Sequence, residues 1–192
     1  MNSPRYAPAG VLVEHGRHRI LIDGPGAALP RGLTDWLVTD ERGELMPRIR
    51  HLARAFHLEP RVAIYTAQGL AIEPHPVVHT SHPAFGYVIR VLARKIVWAP
   101  EFFEFPAWAE RANLMFAEAA GWNRPIRFAR SVGGHAPALT VARQAKERGV
   151  RRLVFAHIGR PTIRAIDAGA TLPFGEFGRD GGGVYIIRAP RR

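Results

Sequence analysis

The sequence contains no cysteine, which excludes disulfides and every thiolate metal site. No apolar run approaches the roughly 20 residues that a membrane-spanning helix requires. The opening residues MNSPRYAPAG lack the apolar centre of a secretory signal. A cytoplasmic protein with no membrane association is the expectation. Lysine is nearly missing too: apart from Lys95 and Lys146, the basic residues are arginine. No repeat, low-complexity block or linker interrupts the chain, so residues 1–192 read as a single domain. At 47% hydrophobic and 22% charged residues, it can bury a sizeable core.

Positive charge is what the chain has in excess, +11 at neutral pH. Such a balance permits binding to phosphates or nucleic acid. The arginines are scattered, however, with only Arg151-Arg152 and Arg191-Arg192 adjacent, and charge alone supplies non-specific attraction. No aromatic residues interleave with the basic ones to form a stacking platform for single strands.

The stretch from Ser131 to Gly159 organises the rest. It reads as loop, helix, turn, strand and loop, with a histidine at each end. Pro137 suits a first helical turn, where its missing N–H costs nothing, and Gly149 suits a helix stop. Leu153-Val154-Phe155-Ala156 is an unbroken apolar run, as expected of a strand buried on both faces. A helix of roughly 12 residues runs about 18 Å out, and a strand of about 6 residues returns by about the same distance. His135 and His157 are thereby expected near each other at one sheet edge, where α/β proteins build their sites. The ordinary alternative is a helix-capping histidine and a loop-packing one.

In chain order, Gly10–Glu14 and Arg19–Asp23 read as a hairpin, with His15 and His18 exposed beside its turn. Leu33–Val38 reads as a strand, and Leu45–His57 as a helix with Leu45, Ile49, Leu52, Ala53 and Phe56 on one face. Arg61–Tyr65, Pro76–His79, Phe85–Val91 and Lys95–Trp98 are strand candidates, with Glu101 just past the last. Residues 107–120 mix helical and strand character. Val184–Arg188 reads as a final strand. His75 and His82 each precede proline and so lie in extended or turn backbone. Trp98 and Trp122 are expected to pack in the core or at its rim.

This order of parts resembles the metallo-β-lactamase fold, in its ribonuclease Z-like and phosphodiesterase-like branch. VLVEHGRHRILIDGPG resembles the family's opening, with Asp23 at its motif aspartate. GYVIRVLARKIVWAPEF resembles the hairpin that ends in the metal-bridging aspartate, here Glu101. VVHTSHPAFGY resembles the segment supplying a middle histidine, His79 before His82, and the stretch Gly133–Gly159 resembles the last two histidine motifs, His135 and His157. The resemblance implies an α/β (α+β) chain built as a four-layer αββα sandwich, with metals at one edge of the two sheets.

The family signature HxHxDH is degenerate here. After Thr39, its positions hold Asp40, Arg42, Glu44 and Leu45. Zinc takes imidazole or carboxylate donors, whereas arginine donates hydrogen bonds and offers no lone pair. A dinuclear zinc site is therefore not expected. Three readings follow. The first is a catalytically impaired pseudoenzyme that binds a phosphate- or carboxylate-bearing ligand in the old cleft. There Arg42, beside Asp40, Glu44 and Glu101, fills the charge role of a metal, and His135 joins the ligand site. The alternative is a mononuclear hydrolase, phosphodiesterase-like, with zinc, manganese or iron on His79, Glu101 and His157. In it His135 holds or protonates the leaving group. The third, ranked below these, is an RNA-binding protein. A homodimer stays open, as does whether the protein is an enzyme at all.

Overall fold

The computed structural model describes residues 5–26, 28–129 and 132–181. The expected strand Val184–Arg188 lies outside them. The hairpin forms as β1 (Gly10–His15) and β2 (His18–Asp23), paired antiparallel, and β3 (Asp35–Leu37) adds in parallel to β2. A seven-stranded sheet holds β4 (Tyr65–Ala67), β5 (Leu70–Val77), β6 (Ala84–Val91), β7 (Arg94–Ala99), β8 (Leu114–Ala119), β11 (Leu153–Ile158) and β12 (Glu176–Phe177). Its order is β12-β11-β8-β7-β6-β5-β4. A two-stranded ribbon, β9 (Ile126–Arg127) with β10 (Gly134–His135), lies outside both sheets.

Side-chain alternation explains the layering. In β2, Ile20 and Ile22 face a core shared with Ile72, Tyr87, Trp98 and Phe116 of the large sheet, which cements the two sheets. Leu21 between them points outward and meets Met46, Ile49 and Ala53 of α1 (Met46–Ala53). On the far side, Met115, Ala117, Leu153 and Phe155 meet Val141, Ala142 and Ala145 of α2 (Ala138–Glu147), with Ile163 of α3 (Arg160–Asp167) in the same cluster. Helix, sheet, sheet, helix is the resulting order, the expected αββα sandwich.

Several boundaries differ from expectation. The helix over 45–57 stops at Ala53 and tightens into a 3₁₀ turn, Arg54–Phe56, closed by His57 at φ 55°. The strand over 33–38 shrinks to three residues. Arg61 makes only an isolated bridge to Leu37, and the strand expected there begins at Tyr65. The strand expected over 76–79 lies mostly earlier, so His79 falls in the loop that follows. The ambiguous stretch 107–120 is a 3₁₀ turn, Ala107–Ala109, and then β8. His15 and His18 are half-buried, held by the Gln68 carbonyl and the Tyr65 hydroxyl.

This topology fixes one functional edge. β7, β8 and β11 are mutually parallel, and β5 runs in the same sense because β6 is antiparallel to both β5 and β7. The carboxyl ends of all four strands therefore share an edge. His79, Glu101, Glu118 and His157 each sit at or just past one of those ends, and His135 lies immediately before α2.

Candidate functional site

His79 is buried, 5% exposed. Its Nδ1–H donates to the Gly134 carbonyl at 2.9 Å, and the Gly134 N–H donates back to the His79 carbonyl at 2.8 Å. The clasp requires glycines opposite. A Cβ on Gly133 would stand 2.0 Å from the His79 oxygen, and one on Gly134 1.9 Å from the Ile126 oxygen, with φ at 146° and 150°. That close approach brings His135 beside His79, their ring centroids 4.8 Å apart, and His157 lies 5.2 Å beyond His135. The two histidines at the ends of the organising stretch do meet, as the element lengths require.

His157 reaches its place through a β-bulge. Leu153 and Phe155 face α2, and strict alternation would send His157 the same way. One extra residue at Ala156 breaks the register, so that Phe155 pairs with Ala117 and His157 with Glu118. Bulges re-aim side chains in this way next to functional sites.

Glu118 is the residue that the sequence reading missed. It is fully buried, 0% exposed. Its Oε2 accepts from His135 Nδ1 at 2.8 Å and from the Phe102 N–H at 3.2 Å, and its Oε1 accepts from the Ala120 N–H at 2.7 Å. His157 Nδ1 stands 3.4 Å from Oε1. A carboxylate only accepts, so Nδ1 of His135 carries the proton and Nε2 keeps its lone pair. The available signal was an acid inside the apolar run Leu114–Ala119, which is costly to bury unless engaged.

Glu101 lies between the outer histidines. Its Oε2 is 3.4 Å from His79 Nε2 and its Oε1 3.4 Å from His157 Nε2. Burial alone would lower His157, yet the charges of Glu101 and Glu118 push it up to about 9. His79 is raised likewise, burial being outweighed by Glu101. Burial would raise both carboxyls, but His157 and His79 hold Glu101 well below the usual range, and His135 and His157 do the same for Glu118.

These separations exceed the roughly 2.7–3.2 Å of a good N–H···O bond. Each alone is close to the roughly 3.3 Å edge of a tetrahedron whose metal–ligand bonds are about 2.0–2.1 Å, and the two run to different oxygens of Glu101. His157 Nδ1 is buried without a full hydrogen bond. Ligand atoms of Glu118, His135 and His157 lie within 4.8 Å of one another and could also hold an ion. Glu118, with both oxygens already accepting, is better suited to orient histidines than to bind metal. Glu118, His135 and His157 form the group whose atoms stand close enough to share an ion, and His79 and Glu101 lie beside it.

The signature positions behave differently. Asp40 Oδ1 accepts from the Arg42 N–H at 2.7 Å, and Oδ2 accepts from His82 Nε2 at 2.8 Å. Arg42 and Glu44 are exposed and Leu45 brings no donor. Among the described residues Arg42 makes no ion pair with Asp40 or Glu101; Asp40 serves His82, and Glu101 stands beside His79 and His157. All these residues line one cleft of about 600 Å³. Behind it Asp23, at φ 63°, accepts from the Thr39 N–H and hydroxyl and from Trp98 Nε1. Burial raises Asp23 to about 6. His75 stacks on Trp108 instead of reaching the cleft.

No family model matches the sequence, and no curated protein matches it. Solved structures do match in three dimensions. The metallo-β-lactamase fold protein YhfI from Bacillus subtilis superposes with a TM-score of 0.68 at 16% identity, over 94% of this chain and 92% of that one. A diphosphatase of the PhnP family gives 0.63 at 16% identity, over 95% and 85%. The short form of human tRNase Z gives 0.61 at 15% identity, over 97% and 95%. Identities this low establish architecture, and the architecture agrees with the sheet order and the edge site: the chain has the metallo-β-lactamase fold.

Proposed function

We propose that this chain is a hydrolase of phosphate esters that works with one divalent metal, zinc, manganese or iron, held by His79, Glu101 and His157. The observation that carries the reading is Glu118. It is buried and contacts Nδ1 of both His135 and His157. A carboxylate that fixes imidazole tautomers from behind is the usual support of a metal-binding histidine. A pocket built only to hold an anion gains nothing from two carboxylates, Glu101 and Glu118, at its base.

A dication there supplies Lewis acidity and a water acidic enough to attack at neutral pH. The chain's own groups do the rest. The open Nε2 of His135 takes a proton from the attacking water and returns it to the leaving oxygen, and Glu118 stabilises the imidazolium in between. Arg42, Arg48 and Arg160 line the cleft and draw in an anionic ester. Met46, Ile49, Phe128 and Ile158 line it as well and limit water. The signature positions favour one metal, since Asp40 is committed to His82 and the others hold Arg42, an exposed Glu44 and Leu45. The names of two structural neighbours, a diphosphatase and a tRNase, agree with a phosphate ester as substrate.

The pseudoenzyme reading puts Arg42 in the place of the metal; Arg42 lines the cleft, is exposed, and makes no ion pair among the described residues. Elemental analysis of protein purified without chelator, followed by turnover of bis(p-nitrophenyl) phosphate, separates the two. Near-stoichiometric metal and metal-dependent turnover are expected. Metal at background together with no turnover after reconstitution would overturn the proposal in favour of a binding protein.

A further inference from the structure

A second cavity, of about 330 Å³, lies behind the loop that carries Asp40 and Arg42. Arg50, Arg54 and Arg61 line it, over a floor that includes Leu58 and the buried Pro60. Arg50 and Arg54 stand one turn apart on the solvent side of α1 and its 3₁₀ extension. Like charges at that spacing repel. Among the described residues neither guanidinium has a carboxylate within ion-pair distance, and Arg50 donates to the Glu41 carbonyl at 3.5 Å. Arg61 donates to the Glu59 carbonyl at 3.1 Å and reaches Asp35 only at 4.0 Å.

The two carboxylates in the wall, Glu41 and Glu59, offset the three arginines only in part and leave a net charge of +1. Glu41 Oε1 accepts from the Val62 N–H at 2.8 Å, and Glu59 makes no ion pair among the described residues. Arginines elsewhere on the surface do find acids: Arg19 with Glu14, Arg148 with Glu110, Arg152 with Glu176. The dipole of α1 favours cations near its last turn and accounts for Arg50 and His51. It does not account for Arg61, which comes from the segment after the helix and converges on the same space.

We propose that this cavity binds a phosphate group. Guanidinium forks match phosphate oxygens in pairs. The phosphate belongs either to a small free ligand or to the backbone of an oligonucleotide that also enters the cleft. Arg48 lines the cleft, and from Arg48 to Arg54 the helix rises only about 9 Å. The proposal does not depend on metal chemistry in the cleft.

Isothermal titration of the full chain, as purified, with inorganic phosphate and with a 5′-phosphorylated tetranucleotide tests it. Three proteins are compared: wild type, Arg54→Gln/Arg61→Gln, and Arg42→Gln/Arg160→Gln. All four arginines are exposed, so matched thermal melts are expected. One phosphate site should be lost, or weaken about tenfold or more, in the first variant and be kept in the second, whatever the cleft binds. A tetranucleotide that binds much more tightly than phosphate, and loses that gain in the second variant, identifies a backbone phosphate. Equal affinities identify a free ligand. No saturable binding of either probe, or an isotherm left unchanged by Arg54→Gln/Arg61→Gln, overturns the proposal.

Discussion

Replacing Glu118 by glutamine keeps the shape and removes one acceptor. If the new amide oxygen takes the place of Oε1, it still accepts from the Ala120 N–H, but the NH₂ then faces the Phe102 N–H and His135 Nδ1. His135 must change tautomer, which puts a proton on Nε2, and the Phe102 N–H is orphaned. If the oxygen takes the place of Oε2, the Ala120 N–H is orphaned and the NH₂ turns toward His157. Either way one buried donor loses its acceptor at about 1–3 kcal/mol, and loss of the buried charge adds to that. Disturbing the group behind a metal ligand typically costs 10–100-fold in affinity. We expect Glu118→Gln to bind zinc about 10–100-fold more weakly in competition with a chromophoric chelator, with a lowered melting temperature. His157 should titrate below its wild-type value in the metal-free protein, followed by NMR of the imidazole. A variant with wild-type metal affinity and unchanged His157 titration would refute the orienting role.

Further predictions follow from the same geometry. His135→Ala should retain metal by elemental analysis yet lose about 10²–10⁴-fold in turnover, the usual contribution of a positioned acid; loss of metal as well would make it a ligand. Gly134→Ala should destabilise the fold and lower metal affinity together, because its Cβ would strike the Ile126 oxygen at 1.9 Å; a melt matching wild type would count against the clasp. In the metal-free protein His157 is raised to about 9, so its contribution is fully present below about pH 6.5 and is lost as pH rises through 9. Glu101 and Glu118 are lowered, so theirs is present above their ordinary range and is lost on acidification. Denaturant unfolding of chelated protein should therefore be most resistant between about pH 5 and 7; resistance that keeps rising to pH 9 would contradict the pairing.

Much of this was legible in the residues. The hairpin Gly10–Asp23 and the helix–strand return from His135 to His157 follow from local period and length, and both formed. Glu101 stands just past its strand as read. Other features depend on contacts distant in sequence. Glu118 meets His135 17 positions away and His82 meets Asp40 42 positions away, and neither spacing has a local signature. The strand over 107–120 was ambiguous because its residues face apolar layers on both sides, which removes alternation. Arg42 lines the cleft, and which partners the acids near it serve depends on residues far away in the chain.

The sequence by itself determined which segments are apolar and where turns fall, since those are properties of neighbouring residues. Tertiary structure alone decided which groups converge. Four strands running in one sense carry their ends to a shared edge, a single extra residue at Ala156 turns His157 toward Glu118, and a burial-enforced acid fixes which imidazole nitrogen stays open. None of these is encoded locally, because each depends on pairing between strands that the chain brings together only on folding.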